Sequence, residues 1–260
     1  MAKIGVLIKP TPDTDARIET SGGKLSLDSL KYVASPYDVY AMEQALQLKE
    51  AGHADEVVAI SFSDVKHKPA VVKMLAMGAD RGIMVKAENQ DHVADSFYVA
   101  SVLKKVIEKE GIDLVFTGKQ AIDDDNMQVP VMLSGMMNSS HVNVATEVKM
   151  DGDTLHVKRE AEGGRQEEYK CKLPAVIGAH KSLNKPRKIP ITNIMKAKKK
   201  PFEELSIGDL GVDATIRVKY TGFTPPPEKP AGKKLTEGSV DEMVDQLVNY
   251  LKNEVKVIGS

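Results

Sequence analysis

The stretch “DLVFTGKQAIDDDNMQVPVMLSGMM” (113–137) decides the fold class of this chain. Its first six residues, 113–118, are mostly apolar and end in glycine, which predicts a buried β-strand. A polar loop with three consecutive aspartates follows, and the apolar segment 127–137 has the length and composition of a helix. A strand, a loop and a helix in this order are typical of the βα unit of a parallel sheet.

The same alternation continues toward the N-terminus. Each predicted strand there is apolar throughout, which indicates a sheet covered by helices on both faces. The first helix has clear ends, because Ser35 and Pro36 suit a helix start, Asp38 suits a capping box and Gly52 suits a helix stop. We therefore predict a doubly wound, mostly parallel α/β fold. The strands are 3–9, 56–63 and 82–87, and the helices are 35–52, 70–79 and 94–111.

The pattern changes in the segment 144–180. Turn signals at 151–153 and 163–164 are flanked by alternating apolar and polar residues, which predicts antiparallel strands added at an edge of the sheet. The next segment, 181–200, carries eight basic residues and no acidic one.

The C-terminal part differs again in composition. Segment 221–234 is rich in proline and predicts an extended connector. Segment 240–255 predicts an amphipathic helix with an apolar stripe, formed by Met243, Leu247 and Leu251. We accordingly predict an α/β domain at 1–220 and a C-terminal arm at 221–260.

The bulk composition narrows the class of protein. A chain of 260 residues suits one large α/β domain with an appendage. Its formal net charge of −1 provides no overall attraction to nucleic acid or to a membrane surface. The single cysteine, Cys171, excludes an internal disulfide and fits a reducing compartment. The first apolar segment is short for a signal peptide, and no segment has the roughly 20 apolar residues of a membrane span, so we expect a soluble cytoplasmic protein.

The acidic loop 118–129 lies where open α/β sheets bind ligands, beyond the carboxyl end of a strand. The helix that follows offers unpaired N–H groups at its start, which suits an anion such as a phosphate. The residues alone favour a simpler interpretation, in which the loop is solvated and its aspartates cap the helix. A divalent-metal site is disfavoured, because adjacent aspartates splay apart whereas metal loops space their ligands.

Motifs for bond-making chemistry are missing from the sequence. It contains no Gly-x-Ser-x-Gly elbow, no phosphate-binding Walker loop and no Gly-x-Gly-x-x-Gly fingerprint, and its histidines are scattered. We interpret Cys171 as inert, since it has no cysteine or histidine partner in the pattern. These absences favour a protein that binds a cofactor without transforming it.

The basic segment 181–200 has three interpretations. A nucleic-acid patch needs stacking aromatic side chains, and only Phe202 lies nearby. The apolar cluster at 189–195 next to the lysines is typical of a surface that binds a protein partner. A solvated loop without a partner is the third interpretation.

Four motifs in one chain resemble the β subunits of electron transfer flavoproteins: “MGADRG” (77–82), “GKQAIDDD” (118–125), “NIMKAKKK” (193–200) and “GDLGVD” (208–213). The resemblance implies a doubly wound α/β domain similar to the adenine-nucleotide α-hydrolases. It also implies a larger α subunit that makes most contacts to FAD. Such a heterodimer carries electrons from acyl-CoA dehydrogenases and related enzymes to a membrane quinone oxidoreductase, without catalysis of its own. The resemblance implies neither nucleic-acid binding nor membrane insertion.

In this family the β subunit buries an AMP that has no redox role. The resemblance implies that the AMP site consists of Leu7, Ser35, Pro36, Tyr37, Asp38, Phe62, Gly118, Lys119, Gln120, Ala121, Ile122, Asp123, Asp124, Asp125, Asn126, Met127, Gln128 and Val129. We expect the backbone at 126–129 to contact the phosphate. The chain departs from the family at Ser35, usually asparagine, at Val129, often threonine, and at Pro130, often glycine, so we expect fewer phosphate contacts.

Some relatives bind a second FAD at this site and bifurcate electrons, and their loop has glycine between the acids. Asp124 stands there in this chain and should crowd a pyrophosphate, so we favour AMP. A stand-alone regulator that binds an adenine nucleotide is the alternative from another class.

The family's partner-recognition loop corresponds to 187–200. Ile191 takes the place of the apolar anchor that inserts into a dehydrogenase, with Ile194 and Met195 beside it. Lys196 and Lys199 match lysines whose methylation modulates docking in some members of the family.

Overall fold

The computed structural model describes residues 2–27, 30–213, 215–229 and 231–258. The chain divides into two compact units between Phe223 and Thr224. The described strands all belong to the first unit, and they are β1 (Ala2–Leu7), β2 (Pro10–Pro12), β3 (Thr20–Ser21), β4 (Lys24–Leu25), β5 (Tyr32–Ala34), β6 (Ala54–Ser63), β7 (Arg81–Lys86), β8 (Leu114–Gly118), β9 (Ser140–Asp151), β10 (Thr154–Glu160), β11 (Gln166–Lys172), β12 (Ala175–Ala179) and β13 (Phe202–Leu205). The helices are α1 (Pro36–Glu50), α2 (Lys68–Met77), α3 (Gln90–Ala94), α4 (Ser96–Glu110), α5 (Gln128–Met137), α6 (Ile191–Ala197) and α7 (Val240–Asn249).

Nine of these strands form one sheet, in the order β11-β10-β9-β12-β8-β1-β6-β7-β13. The neighbouring strands in the part β9-β12-β8-β1-β6-β7-β13 are all parallel to one another. Strand β10 is antiparallel to both β9 and β11. This arrangement confirms the predicted α/β class, with a mostly parallel sheet and an antiparallel extension at one edge.

The strand order changes direction at β1. The chain continues from β1 to β6 and β7 on one side, and then returns with β8 to pair with the other side of β1. The carboxyl ends of β1 and β8 therefore flank the kind of crevice in which open α/β sheets bind ligands.

Helices cover both faces of the sheet. Val6 of β1 belongs to the same buried cluster as Met42 of α1, and α2 contributes to that cluster as well. The next residue along the strand, Leu7, belongs to a second cluster with Val106 of α4 and Leu133 of α5. Successive side chains of a strand point to opposite faces, so the apolar strands predicted from the sequence are buried on both sides.

The prediction that 144–180 contains only antiparallel edge strands is wrong for β12. This strand lies inside the sheet, between β8 and β9, and pairs with both in parallel. All five of its residues are buried. Its continuous apolar sequence suits a central parallel strand, and the antiparallel part of the sheet is limited to the strands before it.

Several small elements were not predicted from the sequence. β13 closes the opposite edge of the sheet against β7, although its sequence “FEEL” contains two glutamates. Two-stranded ribbons, β2 with β5 and β3 with β4, occupy the segment between β1 and α1. The short helix α3 precedes α4 and is separated from it by Asp95.

The second unit contains α7. Ser239 and Glu242 form a capping box at its start, in which each side chain accepts the backbone N–H of the other residue. The α-helix ends at Asn249 and is followed by a π-helical turn over Tyr250–Glu254. The α-helical part is therefore shorter than the helix predicted at 240–255. No helix in the described parts of the chain has both the length and the apolar character needed to cross a membrane.

Candidate functional site

A cleft opens at the carboxyl ends of β1 and β8, at the point where the strand order changes direction. In the structure the acidic loop is limited to 119–127, between β8 and α5. This loop and the start of α5 form one side of the cleft, and α4 forms another. Side chains from β6 complete the wall. The residues that line the cleft are Leu7, Ile8, Lys9, Asp38, Ile60, Phe62, Val93, Ser96, Val99, Leu103, Thr117, Gly118, Gln120, Ala121, Asp124, Asn126, Met127, Gln128, Val129 and Pro130.

The inner wall of the cleft is apolar. Leu7, Ile60 and Phe62 are buried and lie at the ends of the neighbouring strands β1 and β6. The ring of Phe62 lies near the rings of Tyr98 and His92, with centroids 6.2 and 6.5 Å away. A wall of this kind suits a flat, weakly polar group such as a heterocyclic base.

A buried carboxylate joins the two strands at the base of the cleft. Asp38 Oδ2 accepts the backbone N–H of Lys9 at 2.8 Å, and Oδ1 accepts the backbone N–H of Gly118 at 3.0 Å. Burial raises the pKa of Asp38 to about 7, although the two N–H donors favour its ionised form. The predicted capping box is wrong, because the Asp38 carboxylate serves these strand ends and the Ser35 hydroxyl makes no capping bond.

Residue 118 has to be glycine in this arrangement. A Cβ at Gly118 would lie 2.6 Å from Asp38 Oδ1 and 2.7 Å from the Cβ of Tyr37. Real Cβ atoms do not approach other heavy atoms so closely, and neither neighbour can move freely because Asp38 is buried in α1. The glycine that ends the predicted strand therefore makes room for the carboxylate.

Lys9 neutralises part of the acidic loop at the mouth of the cleft. Its Nζ contacts Asp123 Oδ1 at 2.8 Å and Asp124 Oδ2 at 2.9 Å. Burial opposes the charge on Lys9, but the two aspartates outweigh burial and raise its pKa above the usual value. Two of the three consecutive aspartates are thus tied to a cation that follows β1 in the sequence.

The loop backbone takes an unusual path before α5. Asp125 and Met127 both have left-handed backbone conformations, with φ of 51° and 56°. Side-chain amides hold this path, since Asn126 Oδ1 accepts the N–H of Gln128 at 3.1 Å and Gln120 Nε2 donates to Asp125 Oδ1 at 2.6 Å. Asn126 Nδ2 also donates to Ser96 Oγ at 3.2 Å, which joins the loop to α4.

Few N–H groups remain at the start of α5 for an anion. The N–H of Asn126 donates to Asp124 and that of Gln128 to Asn126, so two of the four groups at 126–129 already bond within the loop. Pro130 has no N–H at all. An anion at this end of α5 has to share the remaining backbone donors with nearby side chains.

The residues named from the sequence divide into two groups. The structure places Leu7, Asp38, Phe62, Gly118, Gln120, Ala121, Asp124, Asn126, Met127, Gln128 and Val129 on the wall of the cleft. It places Ser35, Pro36, Tyr37, Lys119, Ile122, Asp123 and Asp125 near the cleft but not on its wall. Ser35 is fully buried and its hydroxyl has no hydrogen-bond partner among the described residues.

Sequence reasoning missed Lys9 and all of α4. Ser96, Val99 and Leu103 line the cleft at a spacing of three and four residues, so one face of the predicted helix turns toward it. That helical periodicity was available in the sequence, but the sequence did not show which face of the sheet the helix covers. Lys9 follows the strand that carries Leu7, and its role depends on a loop more than a hundred residues away.

Both ends of the recognition loop 187–200 are fixed to the α/β unit. Arg187 Nε donates to Glu43 Oε2 at 2.8 Å and its Nη1 to Glu50 Oε1 at 2.6 Å, which joins the loop to α1. Lys200 Nζ donates to the carbonyls of Leu75 and Ala79 at the end of α2, at 3.0 and 2.6 Å. The loop is therefore held where it begins and where it ends.

The middle of the recognition loop forms α6 and presents apolar side chains to solvent. Ile191 is 81% exposed, Met195 is 62% exposed and Ile194 is 43% exposed. Lys196 and Lys199 are exposed beside them. Exposed apolar side chains with a basic rim on a fixed loop are typical of a protein-binding surface.

Cys171 is a buried thiol on the antiparallel extension, and burial raises its pKa above the usual value. A thiol in this state is a poor nucleophile. Among the described residues, no group of three or more histidine, cysteine, aspartate or glutamate side chains is arranged to hold a metal ion.

The fold and the cleft together define a doubly wound α/β protein with a cleft where its strand order changes direction, the usual place for a ligand in such folds. Residues 24–210 match the family model of the electron transfer flavoprotein domain. The chain is 40% identical over 258 residues to the electron transfer flavoprotein subunit beta of Bradyrhizobium diazoefficiens, which covers 98% of this chain and 100% of the relative. It is 39% identical over 250 residues to the subunit beta of Mus musculus, with 95% of each chain covered, and 34% identical over 256 residues to that of Bacillus subtilis, with 97% of this chain and 98% of the relative covered. The chain belongs to the electron transfer flavoprotein family, as a β subunit, and the predicted resemblance is confirmed.

Proposed function

We propose that this chain pairs with a larger α subunit to form an electron transfer flavoprotein. The heterodimer accepts electrons from acyl-CoA dehydrogenases and related enzymes and passes them through FAD to a membrane quinone oxidoreductase. The family match and the names of the relatives support the flavoprotein role and a second subunit. FAD supplies the electron-carrying chemistry, and this chain performs no bond-making catalysis of its own.

We further propose that the cleft at β1 and β8 holds AMP. The observation that carries this proposal is the combination of an apolar inner wall with a polar mouth at the point where the strand order changes direction. Leu7, Ile60 and Phe62 would contact the base, and Asn126 and Gln128, which line the polar part of the cleft, would bind the ribose or phosphate.

The acidic loop is compatible with a phosphate because of Lys9. Asp123 and Asp124 would repel an anion if they were free, but both bond to the Lys9 ammonium. Asp124 also lies on the cleft wall, where its side chain occupies space that the larger pyrophosphate group of FAD would need. This position supports AMP over a second FAD.

Loop 187–200 would be the surface that meets the dehydrogenase. It is fixed at both ends by Arg187 and Lys200, and it exposes Ile191 at its most prominent position. A fixed backbone reduces the entropy lost when a partner binds. The arm at 221–260 would bind the α subunit through α7, whose apolar side chains are exposed.

The experiment that tests these proposals is to purify the chain together with its α subunit and to identify the nucleotides released by heating. We expect one FAD and one AMP per heterodimer. Two FAD without AMP would assign the protein to the bifurcating class. A stable monomer that holds an adenine nucleotide and recruits no α subunit would support the stand-alone regulator.

A further inference from the structure

The first residue of the acidic loop, Lys119, is held by Asn143, a residue that the sequence did not single out. Lys119, the first residue after β8, donates its N–H to the carbonyl of Ala179 in β12 at 3.0 Å. Its own carbonyl accepts a hydrogen bond from Asn143 Nδ2 at 3.1 Å. Asn143 Oδ1 in turn accepts the N–H of Val144 at 2.9 Å, so both ends of the amide are engaged.

The backbone around Asn143 is irregular in a way that serves this contact. β9 and β12 are in register at Val142 with Ile177 and again at Ala145 with Ala179. Asn143 and Val144 of β9 therefore lie opposite the single residue Gly178 of β12. This two-to-one pairing is a β-bulge. Bulges of this kind redirect a side chain, and here the redirected side chain is the amide that reaches Lys119.

Two residues near the bond from Asn143 to Lys119 carry conformational or steric restrictions. Val144 has a φ of +61°, a left-handed conformation that a β-branched residue rarely adopts. Residue 178 has to be glycine, because a Cβ there would lie 1.9 Å from Asn143 Oδ1. Backbone strain of this kind persists where the surrounding structure enforces it, and it is concentrated at functional sites.

The contact has a direct route to the cleft. Gln120, the next residue after Lys119, lines the cleft and donates to Asp125 across the loop. Asp38 holds the residue before Lys119 through the N–H of Gly118. The loop thus leaves the sheet from two consecutive residues, of which Gly118 is held by the Asp38 carboxylate and Lys119 by the Asn143 amide.

We propose that Asn143 is a positioning residue for nucleotide binding, which acts through the Lys119 carbonyl to set the path of the acidic loop. This inference rests on the proposed AMP site and adds a residue that does not line the cleft. Loss of the Asn143 donor should lower the affinity for AMP, because the loop then samples other paths from its base.

The test compares four variants of the heterodimer by titration with AMP and by thermal unfolding. Asn143→Asp keeps the acceptor for the Val144 N–H and removes the donor to Lys119, and we expect its AMP affinity to fall about tenfold, the effect of one hydrogen bond. Gly178→Ala displaces the Asn143 amide without altering it and should weaken AMP binding similarly. Val144→Gly keeps the N–H that donates to Asn143 Oδ1 and relieves the strained φ, so its AMP affinity should fall by less than that of Asn143→Asp.

Gly135→Ala is the matched glycine control, because a Cβ at Gly135 meets no atom within 4 Å. If Asn143→Asp lowers the melting temperature but binds AMP like the wild type, the positioning role is wrong. If the wild-type heterodimer binds no AMP, the proposed site itself fails. In that case hydrogen exchange of the 119–127 backbone still decides the inference: faster exchange in Asn143→Asp than in wild type and Gly135→Ala supports it, and equal exchange overturns it.

Discussion

The Asp38 carboxylate accepts the backbone N–H of Gly118 at 3.0 Å, and a side chain at position 118 would occupy the space of that carboxylate. The second oxygen of Asp38 accepts the N–H of Lys9. One side chain of α1 therefore spans the ends of β1 and β8, which are the two strands that flank the cleft. The relative position of these two strand ends depends on the buried Asp38 carboxylate and on Gly118, which has no side chain to clash with it.

The buried acid predicts an unusual dependence of stability on pH. Burial raises the pKa of Asp38 from 3.8 to about 7, so the folded state binds an extra proton between these values. The contribution of Asp38 to the free energy of unfolding should therefore fall as pH rises from about 4 to about 7, by at most about 4 kcal/mol. Urea unfolding of wild type and Asp38→Asn at pH 5 and pH 8 measures this effect.

The variant should be less stable than wild type at pH 5, and the difference should narrow at pH 8, where ionised Asp38 destabilises the wild type. Asp13→Asn is the control, because the hydrogen bond from Lys31 lowers the pKa of Asp13, which therefore titrates below this range. A difference between wild type and Asp38→Asn that stays constant from pH 5 to pH 8 would contradict the prediction.

A second prediction concerns the anchor of the recognition loop. Arg187 pairs with Glu43, which is only 4% exposed, and with the largely exposed Glu50. Arg187→Ala leaves the Glu43 carboxylate buried without its cation, so we expect the free energy of unfolding to fall by about 2–3 kcal/mol. Glu50→Gln removes an exposed partner and should cost less than about 1 kcal/mol. Chemical unfolding at pH 7 measures both, and equal losses in the two variants would show that Glu43 does not depend on Arg187.

The sequence predicted the alternation of strands and helices because each central strand is apolar on both faces, and because Pro36 at the start of α1 and Gly111 at the end of α4 mark helix boundaries. It did not place β12, since the sequence “AVIGA” does not specify its neighbours, and its parallel pairing with β8 joins distant segments. The role of Asp38 was missed for a similar reason. Its spacing from Ser35 matches a local cap, whereas its bonds go to Lys9 and Gly118, 29 and 80 residues away.

The candidate site was predictable only in part. The acidic loop and its neighbours follow one strand and could be named together, and the family resemblance named Leu7 and Phe62. Asn143 and Lys9 act on the loop through contacts that depend on sheet order and on a bulge. Such contacts leave no periodic signal in the sequence.

A third prediction concerns α7. Val240, Val244, Leu247 and Val248 are all exposed, at 45–70% of their surface, and their spacing places them on one side of the helix. Of the stripe predicted from the sequence only Leu247 is among them, because Met243 and Leu251 are partly buried. We expect this stripe to bind the α subunit. Deletion of 236–260 should weaken the heterodimer and reduce the FAD retained after gel filtration.

A point variant makes the test of α7 more specific. Leu247→Glu places a charge within the stripe and should weaken the heterodimer nearly as much as the deletion, whereas Gln246→Glu places the same charge next to it and should not. Full flavin content and an unchanged elution volume for the deletion variant would rule out this role of α7.

The last prediction separates two contributions of the recognition loop. The exposed Ile191 side chain, if it enters an apolar site on the dehydrogenase, contributes about 2 kcal/mol, and this contribution does not depend on salt. Ile191→Ala should therefore slow reduction of the bound FAD by the dehydrogenase by up to about thirtyfold at every ionic strength. It should leave the melting temperature and the nucleotide content unchanged, because the side chain is 81% exposed.

The lysines should behave differently from Ile191, since attraction between exposed charges sets the rate of encounter and is screened by salt. Lys196→Gln combined with Lys199→Gln should slow FAD reduction mainly at low ionic strength, and the difference from wild type should disappear as salt is added. Stopped-flow reduction of the heterodimer at several salt concentrations measures both effects. If Ile191→Ala accepts electrons at the wild-type rate, the same measurement on Ile194→Ala and Met195→Ala decides between two explanations. If one of these two variants is slow, its substituted residue is the anchor in place of Ile191. If both have wild-type rates, the dehydrogenase binds at another surface.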